Sequence, residues 1–82
     1  MRIGYMVDLI HRFNNIKRNS INQVEKIDAL NRLIADMEEA FEIPVDDSYA
    51  MKEFKKNNEF LFNLYVEAKD EREVSIDAVG VY

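Results

Sequence analysis

An 82-residue chain has room for one domain and one core. It is 48% hydrophobic and 33% charged, with two glycines, one proline and no cysteine, which excludes disorder, a disulfide-stapled scaffold and thiolate zinc sites and favours long helices. A net charge of −5 and a pI near 4.8 argue against a dedicated nucleic-acid binder, which normally carries a basic balance.

The first element is a helix over about 3–18. Ile3, Met6, Val7, Ile10 and Phe13 fall on one stripe at helical spacing, opposite Asp8, Arg12 and Asn15. Asn14, Asn15 and Asn19 crowd its end, since short amides compete for backbone hydrogen bonds. Ser20-Ile21-Asn22-Gln23 then has the form of a capping box, with the Ser20 hydroxyl on the N3 amide and Gln23 reaching back.

A second helix is expected over about 21–42. Ile27, Leu30, Ile34, Met37 and Phe41 alternate by three and four, the rhythm of a helix–helix seam. Val24 and Leu33 widen the stripe, and Asp28 with Arg32 forms a favourable i,i+4 pair. Pro44 ends the helix by excluding Ile43 from the α region, and Asp46, Asp47 or Ser48 caps the next element.

The third helix, about 48–71, carries a seam of Ala50, Phe54, Asn57, Leu61, Leu64 and Ala68. Asn57 within that seam sets register at some cost in stability. The competing reading breaks the helix at Asn57-Asn58 and pairs residues 60–67 with 74–82 as a β-hairpin. Residues 74–82 have no helical pattern and are expected as an extended tail. The fold class is therefore an all-α, three-helix bundle: a helical hairpin plus a third helix, in a single domain over 1–82, with a short extended C-terminal tail.

Charge is unevenly distributed. In residues 1–26, Arg2, Arg12, Lys17, Arg18 and Lys26 outweigh Asp8 and Glu25 by three. In residues 27–50, Arg32 stands against Asp28, Asp36, Glu38, Glu39, Glu42, Asp46 and Asp47. Acids in the last turns of a helix oppose its macrodipole, and Lys52, Lys55 and Lys56 are placed to neutralise them across the turn. A sequence that breaks a local rule without evident gain directs attention to function.

Glu38-Glu39-Ala40-Phe41-Glu42 fits the pattern EExxE, and Glu67-Ala68-Lys69-Asp70 fits ExxD. In this order and spacing they resemble the motifs of the all-α MazG-like nucleoside triphosphate pyrophosphatases. The resemblance implies a dimeric helical fold in which Glu38, Glu39, Glu42, Glu67 and Asp70 are metal ligands holding Mg²⁺ against a triphosphate. The chain departs from that family at Pro44, which stops the helix just after Glu42, and at Glu71-Arg72-Glu73, where an apolar continuation is usual.

Other site chemistry is thin. His11 is the single histidine, so HExxH and paired Glu-x-x-His sites are absent. Ser20, Ser48 and Ser75 lack a G-x-S-x-G setting, and Gly4 and Gly80 cannot make a phosphate loop. The aromatics sit at helical spacing, with Tyr49, Tyr65 and Tyr82 suited to a half-buried contact.

These readings lead to a non-enzymatic interaction or regulatory protein with no cofactor and an unidentified protein partner. The apolar faces exceed what one small bundle hides, so a homodimer is expected. Its interface is placed on the second and third helices, at Ile34, Phe41, Phe54, Leu61 and Tyr65. The alternatives are the Mg²⁺-dependent pyrophosphatase and an acidic inhibitor occupying the basic groove of a nucleic-acid-binding enzyme. A cysteine-free chain, no apolar run near the roughly 20 residues that span a bilayer, and a start interrupted at Asp8 lead to a cytoplasmic, membrane-free expectation.

Overall fold

The computed structural model describes residues 3–19 and 22–80. It contains four helices: α1 (Ile3–Asn19), α2 (Gln23–Ala40), α3 (Ser48–Asn57) and α4 (Glu59–Gly80). The all-α bundle is as expected, and no strand occurs among the described residues. Three details differ from the sequence reading, each for a local reason.

First, the start of α2 is set by Asn22. Its backbone is extended (φ −147°, ψ 169°), its side-chain Oδ1 accepts from Glu25 N at 2.9 Å, and its carbonyl accepts from Lys26 N at 3.0 Å. An asparagine two residues inside the expected capping box supplies the same acceptor. Ser20 and Ile21 lie outside the described residues.

Second, the expected helix over 48–71 is two helices. Asp47 caps α3, its Oδ1 accepting from Ala50 N at 3.0 Å. Asn58 ends α3 with φ −140° and ψ 52°, donating its backbone N–H and its Nδ2 to Phe54 O at 2.9 and 3.2 Å. Its carbonyl then accepts from Phe62 N at 2.8 Å and opens α4. The amide side chain thus adds a second donor to the Phe54 carbonyl at the end of α3. Asn57 is exposed and holds no place in a seam.

Third, residues 74–80 continue α4 where an extended tail was expected. Within the low-propensity run Val74-Ser75-Ile76, Ser75 is buried on the helix and its Oγ is satisfied locally, donating to Glu71 O at 2.9 Å. Residues 81–82 lie outside the described residues.

The core is one cluster. Leu30, Leu33, Ile34 and Met37 of α2 face Leu61, Leu64, Tyr65 and Ala68 of α4, and Met6, Leu9 and Phe13 of α1 close over them. The most extensive packing is between α2 and α4, and α1 meets α4 least. Polar ties fix the antiparallel register of the α2–α4 pair. Tyr65 Oη donates to Glu38 Oε2 at 2.6 Å, Arg72 Nη1 donates to Asn31 Oδ1 at 3.1 Å, and Lys26 Nζ pairs with Glu71 Oε1 at 2.5 Å. One salt bridge, Arg12 to Asp36 at 2.9 Å, ties α1 to α2.

The α2–α3 turn closes the bottom of the bundle. Ile43 N donates to Glu38 O at 3.1 Å, the six-to-one bond of a Schellman motif, and the buried Ile43 side chain joins Met37 in the core. This geometry places Glu42 at φ 51°, the one non-glycine residue with positive φ among the described residues. A side chain there costs about 1–2 kcal/mol, which glycine avoids at the expense of a more flexible unfolded chain. Its charge is also unfavourable beside a helix C-terminus. Glu42→Gly is expected to stabilise the protein by about 0.5–1 kcal/mol in urea denaturation; destabilisation would contradict the left-handed assignment.

Candidate functional site

The structure disperses the five carboxylates of the EExxE and ExxD motifs. The α-helix stops at Ala40, so Glu42 falls in the turn rather than one helical turn below Glu38. Glu38 accepts the Tyr65 hydroxyl. Glu39 is exposed beside Tyr5 and Asp36, on the side of α1 away from α4, whereas Glu67 borders the groove between α1 and α4. Asp70 is exposed on α4. Among the described residues no group of three or more His, Asp or Glu side chains is placed to hold a metal ion. The donor set does not fit the Mg²⁺ centre that the motifs imply.

The expected neutralisation across the α2–α3 turn is also absent. Among the described residues no ion pair joins Lys52, Lys55 or Lys56 to the acids at 38–47. Lys55 Nζ lies instead over the Phe62 ring, 5.5 Å from its centroid. His11 is exposed on α1, among Asn14, Asn15 and Arg18.

The residues expected to face a second copy face one another within the chain. Ile34, Leu61 and Tyr65 are buried in the core; Phe41 and Phe54 are half-buried against it, with Phe41 stacked on Tyr5 at 5.4 Å. The turn at 41–47 folds the second apolar face back onto the first, so each covers the other. Tyr49 is exposed, and Tyr82 lies outside the described residues.

Among the exposed large apolar side chains, Val24, Val45, Tyr49, Val74 and Ile76 are dispersed over the surface, whereas Val7 and Phe60 lie together between α1 and α4. These helices run parallel, since Met6 and Val7 stand beside Phe60 and Leu61, and Lys17 beside Glu67. The gap between them is an open groove of about 520 Å³ floored by Met6, Val7, Ile10, Phe60 and Leu61. It continues past Phe13 and Leu64 through a further volume of about 330 Å³. Ile10 and Phe60 border both parts and so mark the centre. Val7 is 42% exposed and Phe60 65% exposed, large costs in uncovered apolar surface for so small a chain.

The cause lies in the width of the α1 stripe. At 100° per residue the apolar positions from Tyr5 through Leu9, Phe13 and Met6 to Ile10 and Val7 cover about 200° of the helix. The core engages the Met6-Leu9-Phe13 sector, leaving Ile10 and Val7 at one edge. Leu9, fully buried, was missing from the stripe read in the sequence; including it rotates the buried face away from Val7. The start of α4, Glu59-Phe60-Leu61-Phe62, is apolar on several sides, so whichever side packs on α2 leaves another uncovered.

A second feature is the Tyr65–Glu38 pair. Burial pushes the Tyr65 hydroxyl well above the ordinary tyrosine range, and the hydrogen bond to Glu38 and that carboxylate's charge add to the effect. The folded state therefore holds this proton more tightly than the unfolded chain. The stability it contributes is complete below about pH 10 and is lost as the unfolded tyrosine ionises above that value. Tyr65→Phe is expected to cost about 1.5 kcal/mol near neutral pH, because a hydrogen bond to a carboxylate is lost. It should also flatten the fall in stability above about pH 10. Urea titrations of both proteins on either side of that pH measure this; identical alkaline slopes would contradict it.

Among the described residues no helix is long and apolar enough to cross a membrane. Comparison of the chain with protein-family models, with curated proteins and with solved structures gives no match.

Proposed function

We propose that this chain is a non-enzymatic interaction or regulatory protein of the cytoplasm that acts by presenting the α1/α4 groove to another polypeptide. The observation that carries the reading is the apolar floor exposed at Val7 and Phe60, with the half-buried Ile10 between them. Apolar side chains in an open, elongated groove between helices suit a helix or a helix pair as occupant. The groove offers little to a reacting small molecule, because its polar margin is made of Asn57, Asn58 and Glu59 at one end and Asn14, Lys17, Asn63 and Glu67 at the other, without a nucleophile–base pair. The cysteine-free composition supports a reducing compartment.

A photoreactive phenylalanine analogue in place of Phe60, expressed in the native host, tests the reading. Irradiation is expected to yield a covalent adduct with a polypeptide, and the same analogue in place of Asp77, exposed on the far turns of α4, is expected to yield none. No adduct at position 60, or equal adducts at both positions, would contradict the assignment.

A further inference from the structure

We infer that the occupant of the α1/α4 groove is the same groove of a second copy of this chain, in a two-fold dimer. This rests on the groove being an interaction surface and adds the identity of what covers it. The first argument is area. The chain exposes 5860 Å², whereas a self-contained folded protein of its mass exposes about 5,100 Å². The excess, about 760 Å², is close to the roughly 800 Å² that each partner contributes to an interface of standard size. One further copy of the same face therefore suffices to bring the exposed area to the value normal for a closed molecule.

Shape gives the same answer. The Cα extents are 39 × 28 × 17 Å and the radius of gyration is 13.4 Å, against about 11.7 Å for a compact domain of this length. A cross-section of 28 by 17 Å gives the bundle one broad face. A flat face with an apolar centre is covered most simply by its own copy, because a two-fold interface presents the same patch from both partners.

The direction of the two helices fixes which residues a two-fold dimer would bring together. Because α1 and α4 run parallel within one protomer, a two-fold axis set across the groove, perpendicular to both helices, places them antiparallel to the partner's pair. Ile10 and Phe60, which border both halves of the groove, then sit nearest the axis, where interface energy concentrates. Glu59 marks one end and Lys17, over the Phe13 ring at 4.3 Å, marks the other. Antiparallel docking brings Lys17 toward the partner's Glu59 at both ends, where it offsets the repulsion between that Glu59 and the Glu67 that shares the Lys17 end.

Sedimentation equilibrium across micromolar concentrations, with circular dichroism to check the helicity of each variant, tests the inference. The expected mass is twice the 9.7 kDa of the chain. Phe60→Glu is expected to raise the dimer Kd by about thirtyfold or more with helicity unchanged, since this side chain lies outside the core. Val74→Glu, equally exposed but off the groove, is expected to leave the dimer intact. Lys17→Glu should weaken association by about two- to fivefold, and adding Glu59→Lys should restore it. A dimer indifferent to Phe60→Glu would overturn the inference. So would a monomer at every concentration, and then an adduct of Phe60 with a different protein would leave the groove reading standing, whereas no adduct would remove both.

Discussion

The fold depends on the antiparallel pairing of α2 with α4. Leu30, Leu33, Ile34 and Met37 interlock there with Leu61, Leu64, Tyr65 and Ala68, all buried. Each fully buried Leu, Ile or Met side chain contributes about 1.5–3 kcal/mol, while the Tyr65–Glu38 hydrogen bond contributes about 1.5 kcal/mol and the other two polar ties along the seam about 0–1 kcal/mol each. Burial therefore decides that the two helices pack. The ties from Glu38 to Tyr65, Asn31 to Arg72 and Lys26 to Glu71 decide where they stop sliding, because a slip of one turn breaks all three.

From that pairing the other elements follow. Helix α1 adds one sector of a wide apolar arc, so it closes the core and leaves its other edge outward. Helix α3 has no buried residue and is held by the half-buried Met51 and Phe54, with Asn58 joining it to α4. The strained Glu42 belongs to the turn that reverses the chain so that α4 can reach α2. The molecule is consequently a firm two-helix spine with one helix laid alongside it and a loosely attached fourth.

The helices and most of the core were legible in the sequence because burial follows the 3.6-residue period: Leu30, Ile34, Met37, Leu61, Leu64 and Ala68 all lie where their spacing puts them. The break at Asn58 was visible only as an alternative, since an amide supports a seam position and a helix end equally well until its partner carbonyl is known. The helical character of 74–80 was hidden by valine and isoleucine, whose helix propensity is weak. The EExxE and ExxD patterns record spacing along the chain, and spacing does not reveal that Glu38 is taken by Tyr65 while Glu42 leaves the helix. The groove was half legible: a stripe too wide for the core announces an uncovered edge, but which edge depends on the angle at which α1 meets α2.

Native-state hydrogen exchange measures the central claim most directly. If the α2–α4 pairing carries the fold, amides of residues 33–37 and 64–68 exchange only through global unfolding, and those of α3 open at a distinctly lower free energy. Protection in α3 equal to that at the centres of α2 and α4, or early exchange at Leu33 and Leu64, would contradict the account.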